Sequence, residues 1–304
     1  MNISVVIPVY NKEQFVVDCI RSVLLQKKAP RELIIVNDGS TDNSFNVIDE
    51  FIKNNESEIE IKVINIENSG VSIARNTGVE HAISEYVAFL DSDDTWDEGF
   101  LLEMSALVEK YPNSGIFSCN HKINRENYGI SVAICPLHEN YFGLIDYFKL
   151  SQKYSVVNSS KVIVKKSVFS GIGGFPPNVR NGEDLYVWIK MALVSDVVFI
   201  NKSMVTINQF SDDSRVSRVN DVLYPLMKIK KIEYKHNLEL KKYLLILYRN
   251  SFLFRLKEGN KKGALNIFFS SYKISPIYTS LFLPFILFPV TIMNSAYERY
   301  KQGK

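Results

Sequence analysis

Three carboxylates crowd the segment Asp91-Ser92-Asp93-Asp94, directly after the apolar run Tyr86-Val87-Ala88-Phe89-Leu90. A run of that length fits one buried strand, and carboxylates are rarely buried without a partner. Charge gathered where a core strand surfaces calls for a cation. Residues two apart in an extended chain point to the same side. Asp91 and Asp93 are therefore expected to project together if the backbone stays extended past Leu90. Two hard oxygen ligands suit Mg2+ or Mn2+, which would also hold phosphate oxygens. The competing reading is a solvated acidic turn that caps the next helix, since aspartate is common in turns and at N-caps. A second acidic pair, Glu183-Asp184, follows Asn181-Gly182 and precedes the apolar stretch Leu185 to Leu193. Glycine, two acids and a helical apolar pattern form an N-terminal signature, and both carboxylates would face the positive end of the helix dipole whatever else they do.

The elements that must position these acids alternate in type. Ser4 to Val9 is a buried strand pattern, with Pro8 tolerated near its end and Tyr10 and Asn11 at its tip. Apolar residues then recur at helical spacing from Lys12 to Gln26. Glu32 to Asn37 is a second strand, followed by the turn residues Asp38-Gly39-Ser40-Thr41-Asp42 and a helix from Ser44 to Asn54. Ile59 to Ile66 reads as a third strand, Asn68-Ser69-Gly70 as a loop, Val71 to Ala82 as a helix, and Tyr86 to Leu90 as the fourth strand. Strands alternating with helices imply an α/β fold, a mostly parallel sheet flanked by helices. In such sheets ligands bind beyond the carboxyl ends of the strands. That rule gathers Tyr10, Asp38, Asn68 and the Asp91 cluster on one rim. Further on, Gly99 to Tyr111 reads as a helix and Gly115 to Ser118 as a strand. Residues 120–160 show no clean period and are assigned to a second substrate's pocket. Ser167 to Pro177, rich in glycine and proline, reads as a loop.

Several chemistries are disfavoured. Cys19, Cys119 and Cys135 are odd in number and widely spaced, which suits a reducing compartment rather than a disulfide frame or thiolate zinc. No GxGxxG follows the first strand, and there is no phosphate-loop lysine motif. The four histidines lack metal-ligand spacing, and the start of the chain lacks the pattern of a signal peptide. Charge is uneven. Residues 222–304 carry 15 Lys and Arg against 4 Glu, a net +11, whereas residues 1–221 carry a net −8. The basic region interleaves Lys241, Lys242, Arg249, Arg255 and Lys257 with apolar residues at helical spacing, as in basic amphipathic helices. Ile277 to Met293 is 17 residues without a charge, but Pro284 and Pro289 interrupt it and it falls short of the roughly 20 residues a span needs. Peripheral contact with an anionic membrane is expected rather than a crossing. No nucleic-acid motif accompanies the charge, so no nucleic-acid partner is expected.

Four stretches together resemble a known family. Val5-Val6-Ile7-Pro8-Val9-Tyr10-Asn11-Lys12-Glu13, Val36-Asn37-Asp38-Gly39-Ser40-Thr41-Asp42, Asn68-Ser69-Gly70 with Ala74-Arg75-Asn76-Thr77-Gly78, and Phe89-Leu90-Asp91-Ser92-Asp93-Asp94 look like a family 2 glycosyltransferase of the bacterial surface-polysaccharide type. Any one stretch is weak; the set in this order is specific. It covers about the first hundred residues, and Glu183-Asp184 extends it. The resemblance implies a GT-A fold, inversion at the anomeric carbon and a divalent cation, Mn2+ or Mg2+. It places Pro8 and Tyr10 at the nucleobase, and Asp38 on a pyrimidine N–H. Asn68 and Arg75 would lie on the nucleotide, and Asp91 and Asp93 in a DxD element with Asp93 on the metal. Asp184 would be the catalytic base, supported by Glu183. Asn11, Glu13, Gly70 and Ser92 fall among the nucleotide-sugar-binding residues, and Ser214 to Ser217 loosely resemble a diphosphate-contacting loop. The implied organisation is a glycosyltransferase domain over 1–220, with 1–98 binding nucleotide and 99–220 facing the acceptor. A basic helical region over 221–304 follows, with its membrane-associating segment at 277–293.

The chemistry suits two separate acidic sites. Inverting transfer is one in-line displacement, so a carboxylate must take the acceptor's proton opposite the leaving diphosphate, whose growing charge needs a cation. The expected partners are a nucleotide-sugar donor, UDP-linked by default, and a glycan or lipid-linked oligosaccharide at the cytoplasmic membrane face. Two other readings stand beside this one. Asp91-Ser92-Asp93-Asp94-Thr95 also fits a DxDxT phosphatase whose first aspartate is a nucleophile, although there the motif lies on the first strand. A non-catalytic sugar-nucleotide-fold scaffold would keep the fold without the reaction.

Overall fold

The computed structural model describes residues 2–55, 57–126, 128–179, 181–209 and 223–280. The chain divides into two compact units, Met1–Val216 and Ser217–Lys304.

The first unit is built on one sheet. Strands β1 (Ile3–Val9) and β2 (Glu32–Asp38) are buried along their whole length, and strands covered on both faces need such continuous apolar runs. β2 also pairs with β3 (Glu60–Ile66), and β1 with β4 (Tyr86–Phe89), all in parallel. The remaining strands are β5 (Thr95–Trp96), β6 (Ile116–Arg125), β7 (Gly129–Val132), β8 (Phe142–Ile145), β9 (Val162–Lys165) and β10 (Val197–Gln209). Among the described residues the sheet order is β3-β2-β1-β4-β9-β6-β10-β5, with β7 on β6 and β8 on β10. β9 runs antiparallel to both β4 and β6, so it joins the four parallel strands β1 to β4 to the second half of the sheet. The charged residue that opens β2, Glu32, is fully buried and bonded locally. Glu32 accepts from Ser4 Oγ at 2.6 Å, Lys62 Nζ at 2.6 Å and the Ile83 N–H at 2.7 Å. Burial pushes its carboxyl up, but these bonds outweigh burial and hold it below the ordinary value.

Helices cover both faces. Val5, Ile7 and Val9 of β1 join the buried apolar cluster of α1 (Val16–Leu24), α2 (Ser44–Asn54) and α4 (Phe100–Lys110). On the opposite face α3 (Val71–His81) lies against β1 and β2. Gly78 allows this approach, since a Cβ there would come within 2.3 Å of Val6 Cγ1. α5 (Tyr147–Ser151), α6 (Lys166–Gly171) and α7 (Glu183–Ala192) follow. An aromatic cluster ties α6 and α7 to β4. Phe89 and Phe175 are 5.4 Å apart between ring centroids, and Phe175 and Trp188 5.7 Å.

Two expectations change. The segment from Ser167 to Pro177 is not wholly loop, because α6 occupies its start and ends where Gly173 and Gly174 adopt φ of 89° and 67°. Residues 120–160 hold β7, β8 and α5 and the extension of β6. β7 is exposed on both faces, so no inside–outside alternation marks it in the sequence.

The second unit is helical among its described residues: α8 (Tyr224–Lys228), α9 (Lys231–Tyr234), α10 (Leu238–Lys257), α11 (Lys261–Tyr272) and α12 (Pro276–Ser280). α10 packs on α11, burying Tyr243, Leu244, Tyr248 and Phe252 from one and Ala264, Ile267 and Phe268 from the other. Asn237 and Asn260 cap the two helices, accepting from the backbone N–H groups of Leu240 and Gly263 at 2.9 and 2.8 Å. No helix among the described residues is long and apolar enough to cross a membrane. Residues 281–293 of the apolar stretch, and Ser214 to Ser217, lie outside the described residues.

Candidate active site

The ends of β1 and β2 are tied together before they meet any ligand. Pro8 is buried opposite Val36, while Tyr10, just beyond the strand, is 45% exposed and free to offer a ring face. Asn11 has a positive φ of 52°, and its Oδ1 accepts from the Thr41 N–H at 2.8 Å. Glu13 Oε2 accepts from the Asn43 N–H at 2.8 Å. Both residues therefore pin the β1–α1 turn to the 39–43 loop. Asp38 accepts from the N–H groups of Ser69 at 2.7 Å and Gly70 at 2.9 Å, which shapes the loop carrying Asn68 into α3. Each carboxylate oxygen keeps a second lone pair. Gly39, at φ +64°, leaves room for Asn68, whose N would lie 2.7 Å from an added Cβ. Gly70 is the N-cap of α3 with φ 89°. Asn68 and Gly70 are both exposed on this rim.

The acidic segment does not stay extended. It turns, with the Asp94 N–H donating to the Asp91 carbonyl at 3.0 Å. The carboxylates are thus set by a turn and its supports rather than by strand period. Nor do they cap the next helix, which begins after Gly99 without a side-chain cap. Ser92 is buried inside the turn. Asp94, also buried, accepts from Ser160 Oγ and, at 2.8 Å, from the Asn208 N–H. Asn208 Nδ2 returns a bond to the Asp93 carbonyl at 2.6 Å, and Ser160 Oγ accepts from the Asp91 N–H at 3.2 Å. Burial, then the charges of Asp93 and Asp91, push the Asp94 carboxyl well up. Asp94 is accordingly a scaffold for the turn. Asp91 and Asp93 are the accessible acids, and each faces a cation: Arg75 Nη2 lies 2.6 Å from Asp91 Oδ1, and Lys12 Nζ 2.9 Å from Asp93 Oδ2.

Arg75 joins the two acidic sites that are far apart in sequence. From the middle of α3 its Nη1 lies 3.8 Å from Glu183 Oε1, at the start of α7, while Nη2 holds Asp91. Its guanidinium sits over the Phe175 ring, 5.1 Å from the centroid. Asn76 fixes Phe175 through both backbone groups, at 2.8 and 2.9 Å. Burial would lower the Arg75 pKa, but the charges of Asp91, Glu183 and Asp184 outweigh it and raise it. Nε and Nη1 of Arg75 are buried and have no hydrogen-bond partner among the described residues. Gly182 turns the chain into α7 at φ 80°. Glu183 is buried there, and Asp184 is half-buried with Oδ1 accepting from the Leu185 N–H at 2.6 Å. The α7 start does carry its acids on the positive end of the helix dipole, and it also brings them to the Arg75 that holds the Asp91 turn.

Comparisons with known proteins identify the family and the fold. The family profile described as "Glycosyl transferase family 2" matches residues 4–173. The chain belongs to glycosyl transferase family 2. An uncharacterized glycosyltransferase of Rickettsia conorii is 29% identical over 306 residues, covering 97% of this chain and 48% of that protein. Glycosyltransferase GlyA of Streptococcus pneumoniae is 29% identical over 216 residues, covering 66% and 30%. The chain spans about half the length, or less, of these relatives. Among solved structures, S. aureus TarS 1–349 in complex with UDP-GlcNAc superposes with a TM-score of 0.72 at 19% identity, covering all of this chain and 93% of that one. That likeness is one of fold, and it bears out the GT-A expectation. Family 2 membership also displaces the DxDxT phosphatase, whose motif would lie on the first strand rather than after the fourth.

For a family 2 chain, the roles the sequence left unassigned are instructive. Lys12, Asn76, Asp94, Ser160, Phe175 and Asn208 all support the acidic turn or its arginine. Only Lys12, Asn76 and Asp94 lay within the recognised stretches, and nothing in their spacing gave a contact across the sheet. A second buried cluster lies behind Ser160. Lys161 is wholly buried, with Nζ 3.1 Å from His121 Nδ1 and 3.4 Å from Tyr154 Oη, and it donates to the Ser155 carbonyl. Burial lowers Lys161 to about 7. Burial, and then the Lys161 charge, lower His121 to about 3.

No group of three or more His, Cys, Asp or Glu able to hold a metal occurs among the described residues. Mg2+ does not require one: it is held by one or two carboxylates together with substrate phosphates. Asp91 and Asp93 are hard oxygen donors, with 35% and 25% of their side chains accessible. They fit that requirement.

Proposed function

We propose that this chain is an inverting glycosyltransferase that moves one sugar from a nucleotide diphosphate donor to an acceptor hydroxyl. The observation that carries the proposal is the Arg75 bridge, with Asp91 on one side and Glu183 on the other. Single displacement needs an acid site for the leaving diphosphate and a base for the incoming hydroxyl within one substrate length. Asp91 and Asp93 fill the first role. Asp184, whose neighbour Glu183 is held by Arg75, fills the second and takes the hydroxyl proton as the bond to the anomeric carbon forms. Mn2+ or Mg2+, held by Asp93 with Asp91, would supply the positive charge that the departing diphosphate needs. Tyr10 offers its exposed ring to the nucleobase, and Asp38 and Asn68 line the same rim.

A UDP-sugar is the donor class, supported by the UDP-GlcNAc of TarS, whose fold this chain shares. A glycan or lipid-linked oligosaccharide is the acceptor class in a polysaccharide biosynthesis role. The net +11 of residues 222–304 supports peripheral attachment at the inner face of the membrane. Residues 1–216 would be the catalytic unit and 217–304 the attachment unit.

The test is Asp184→Asn. UDP release from UDP-GlcNAc in the presence of Mn2+ is expected to fall by roughly 10²–10⁴-fold, the range of a lost general base, with UDP affinity within about threefold of wild type. Wild-type turnover in that variant would remove Asp184 from the mechanism.

A further inference from the structure

The sheet ends at β7 without the devices that usually stop a strand from pairing again. β7 pairs with β6, and among the described residues no strand pairs with its other side. Just past the strand, the Ala133 N–H donates to the His121 carbonyl at 3.0 Å. Along an antiparallel strand the backbone groups face the neighbour at every second residue. Gly129 and Ser131 therefore also face β6, and the N–H and C=O groups of Ile130 and Val132 point outward. The Ile130 and Val132 side chains share one face, 64% and 59% exposed, beside their β6 partners Asn124 and Lys122. Ile134, two residues on, is 84% exposed. Polar partners give these apolar side chains little cover from their own sheet. Between Gly129 and Val132 there is neither charge nor proline, the features by which natural edge strands refuse a second strand. One occupant must therefore meet an apolar face and a row of outward backbone groups. A helix or a lipid surface would cover the side chains and leave those groups dry and unbonded. Another β-strand satisfies both.

We propose that β7 is a self-association edge, which pairs antiparallel with β7 of a second copy of this chain about a two-fold axis through Ser131. The strand is complementary to itself in that register. With Ser131 opposite its own copy, Ile130 faces Val132 of the second copy and Val132 faces Ile130. Each of these pairs exchanges both of its outward backbone bonds. The β-branched side chains meet on one face as cross-strand pairs. Ile134 then comes to the end of the second strand that carries Tyr128, itself 86% exposed. At the centre Ser131 is small enough to lie against its own copy. The interface is isologous, so every contact occurs twice. The strand is short, so the area buried stays at the low end of specific interfaces, below about 1,200 Å², and the dimer is reversible. None of this depends on the donor site.

The experiment measures the mass of the full chain by sedimentation velocity over a micromolar to near-millimolar concentration series. The proteins are wild type, the double variant Ile130→Lys with Val132→Lys, and the double variant Ile130→Glu with Val132→Glu. Each is confirmed as folded by its urea midpoint in tryptophan fluorescence. Wild type is expected to shift reversibly from monomer to dimer within the series. Each charged variant alone is expected to dissociate at least about tenfold more readily, because like charges then stand directly opposite one another. An equimolar mixture of the two is expected to recover to within about threefold of wild type, because every lysine then faces a glutamate. Ile130→Thr with Val132→Thr keeps strand propensity and removes most of the apolar face, and it carries the same expectation of weaker association should a charged variant fold poorly. Wild-type chain that stays monomeric throughout the series overturns the proposal. A dimer that the charged variants leave unchanged places the contact elsewhere and overturns it too. So does a mixture that stays as dissociated as its two components.

Discussion

Replacing Arg75 by methionine isolates the link between the two acidic sites. Methionine keeps much of the volume and the contact with Phe175 but removes the charge. Two unit charges about 4 Å apart interact by roughly 4 kcal/mol at an effective dielectric of about 20, and the Arg75–Glu183 separation is 3.8 Å. Desolvation offsets part of that attraction. Removing one partner of a buried pair nevertheless costs about 3–5 kcal/mol, because the other charge stays behind. Glu183 is 7% exposed and has little access to water, whereas Asp91, with 35% of its side chain accessible, regains it. The expected loss for Arg75→Met is therefore about 3 kcal/mol. Adding Glu183→Gln removes the charge that Arg75 faced, so the double variant should be more stable than the sum of the single losses predicts, by about 1–2 kcal/mol. Both tryptophans, Trp96 and Trp188, lie in the first unit, so urea unfolding followed by tryptophan fluorescence reports on that unit alone. Single losses that add in the double variant to within about 0.5 kcal/mol would refute the bridge.

Stability should depend on pH through the cluster behind Ser160. Lys161 is lowered to about 7, so from about pH 7 to 8.5 the unfolded chain holds a proton that the folded chain has released, and stability rises with pH by up to about 1.4 kcal/mol per unit; above that range the buried Cys19 and Cys119 thiols, pushed up in the fold, oppose the rise. His121 is lowered to about 3, so acidification from about pH 6.5 protonates the unfolded chain first and stability falls. Urea midpoints across pH should show both slopes, and Lys161→Met should flatten the alkaline one. Gly78→Ala would force a Cβ to 2.3 Å from Val6 Cγ1. It should destabilise the first unit by about 1–3 kcal/mol, visible as a lower fluorescence-detected melting temperature with no change in the second unit.

The sequence disclosed the fold best where strands are buried on both faces. β1, β2 and β4 are continuous apolar runs ended by polar residues, and α1 and α2 between them carry clear apolar stripes. It disclosed least around β7 and β8, where edge strands carry no alternation, and at α6, whose six residues are hidden among glycines. The acidic residues were legible because carboxylates at a strand end demand an explanation. Their geometry was not, since an Asp91–Asp94 turn held by Ser160 and Asn208 depends on contacts 66 to 115 positions away. Arg75 was legible only as a nucleotide ligand. Its placement between Asp91 and Glu183 follows from the packing of α3, Phe175 and α7, which local spacing does not encode.

The central claim is a metal-assisted nucleotide diphosphate site at the Asp91–Asp93 turn. Calorimetric titration of the full chain with UDP, GDP and dTDP, each with and without Mn2+, tests it most directly. The account predicts that UDP binds, that Mn2+ strengthens the binding by at least tenfold, and that Asp93→Ala abolishes the strengthening. Failure of all three nucleotides to bind in the presence of Mn2+, or binding by Asp93→Ala indistinguishable from wild type, would contradict it.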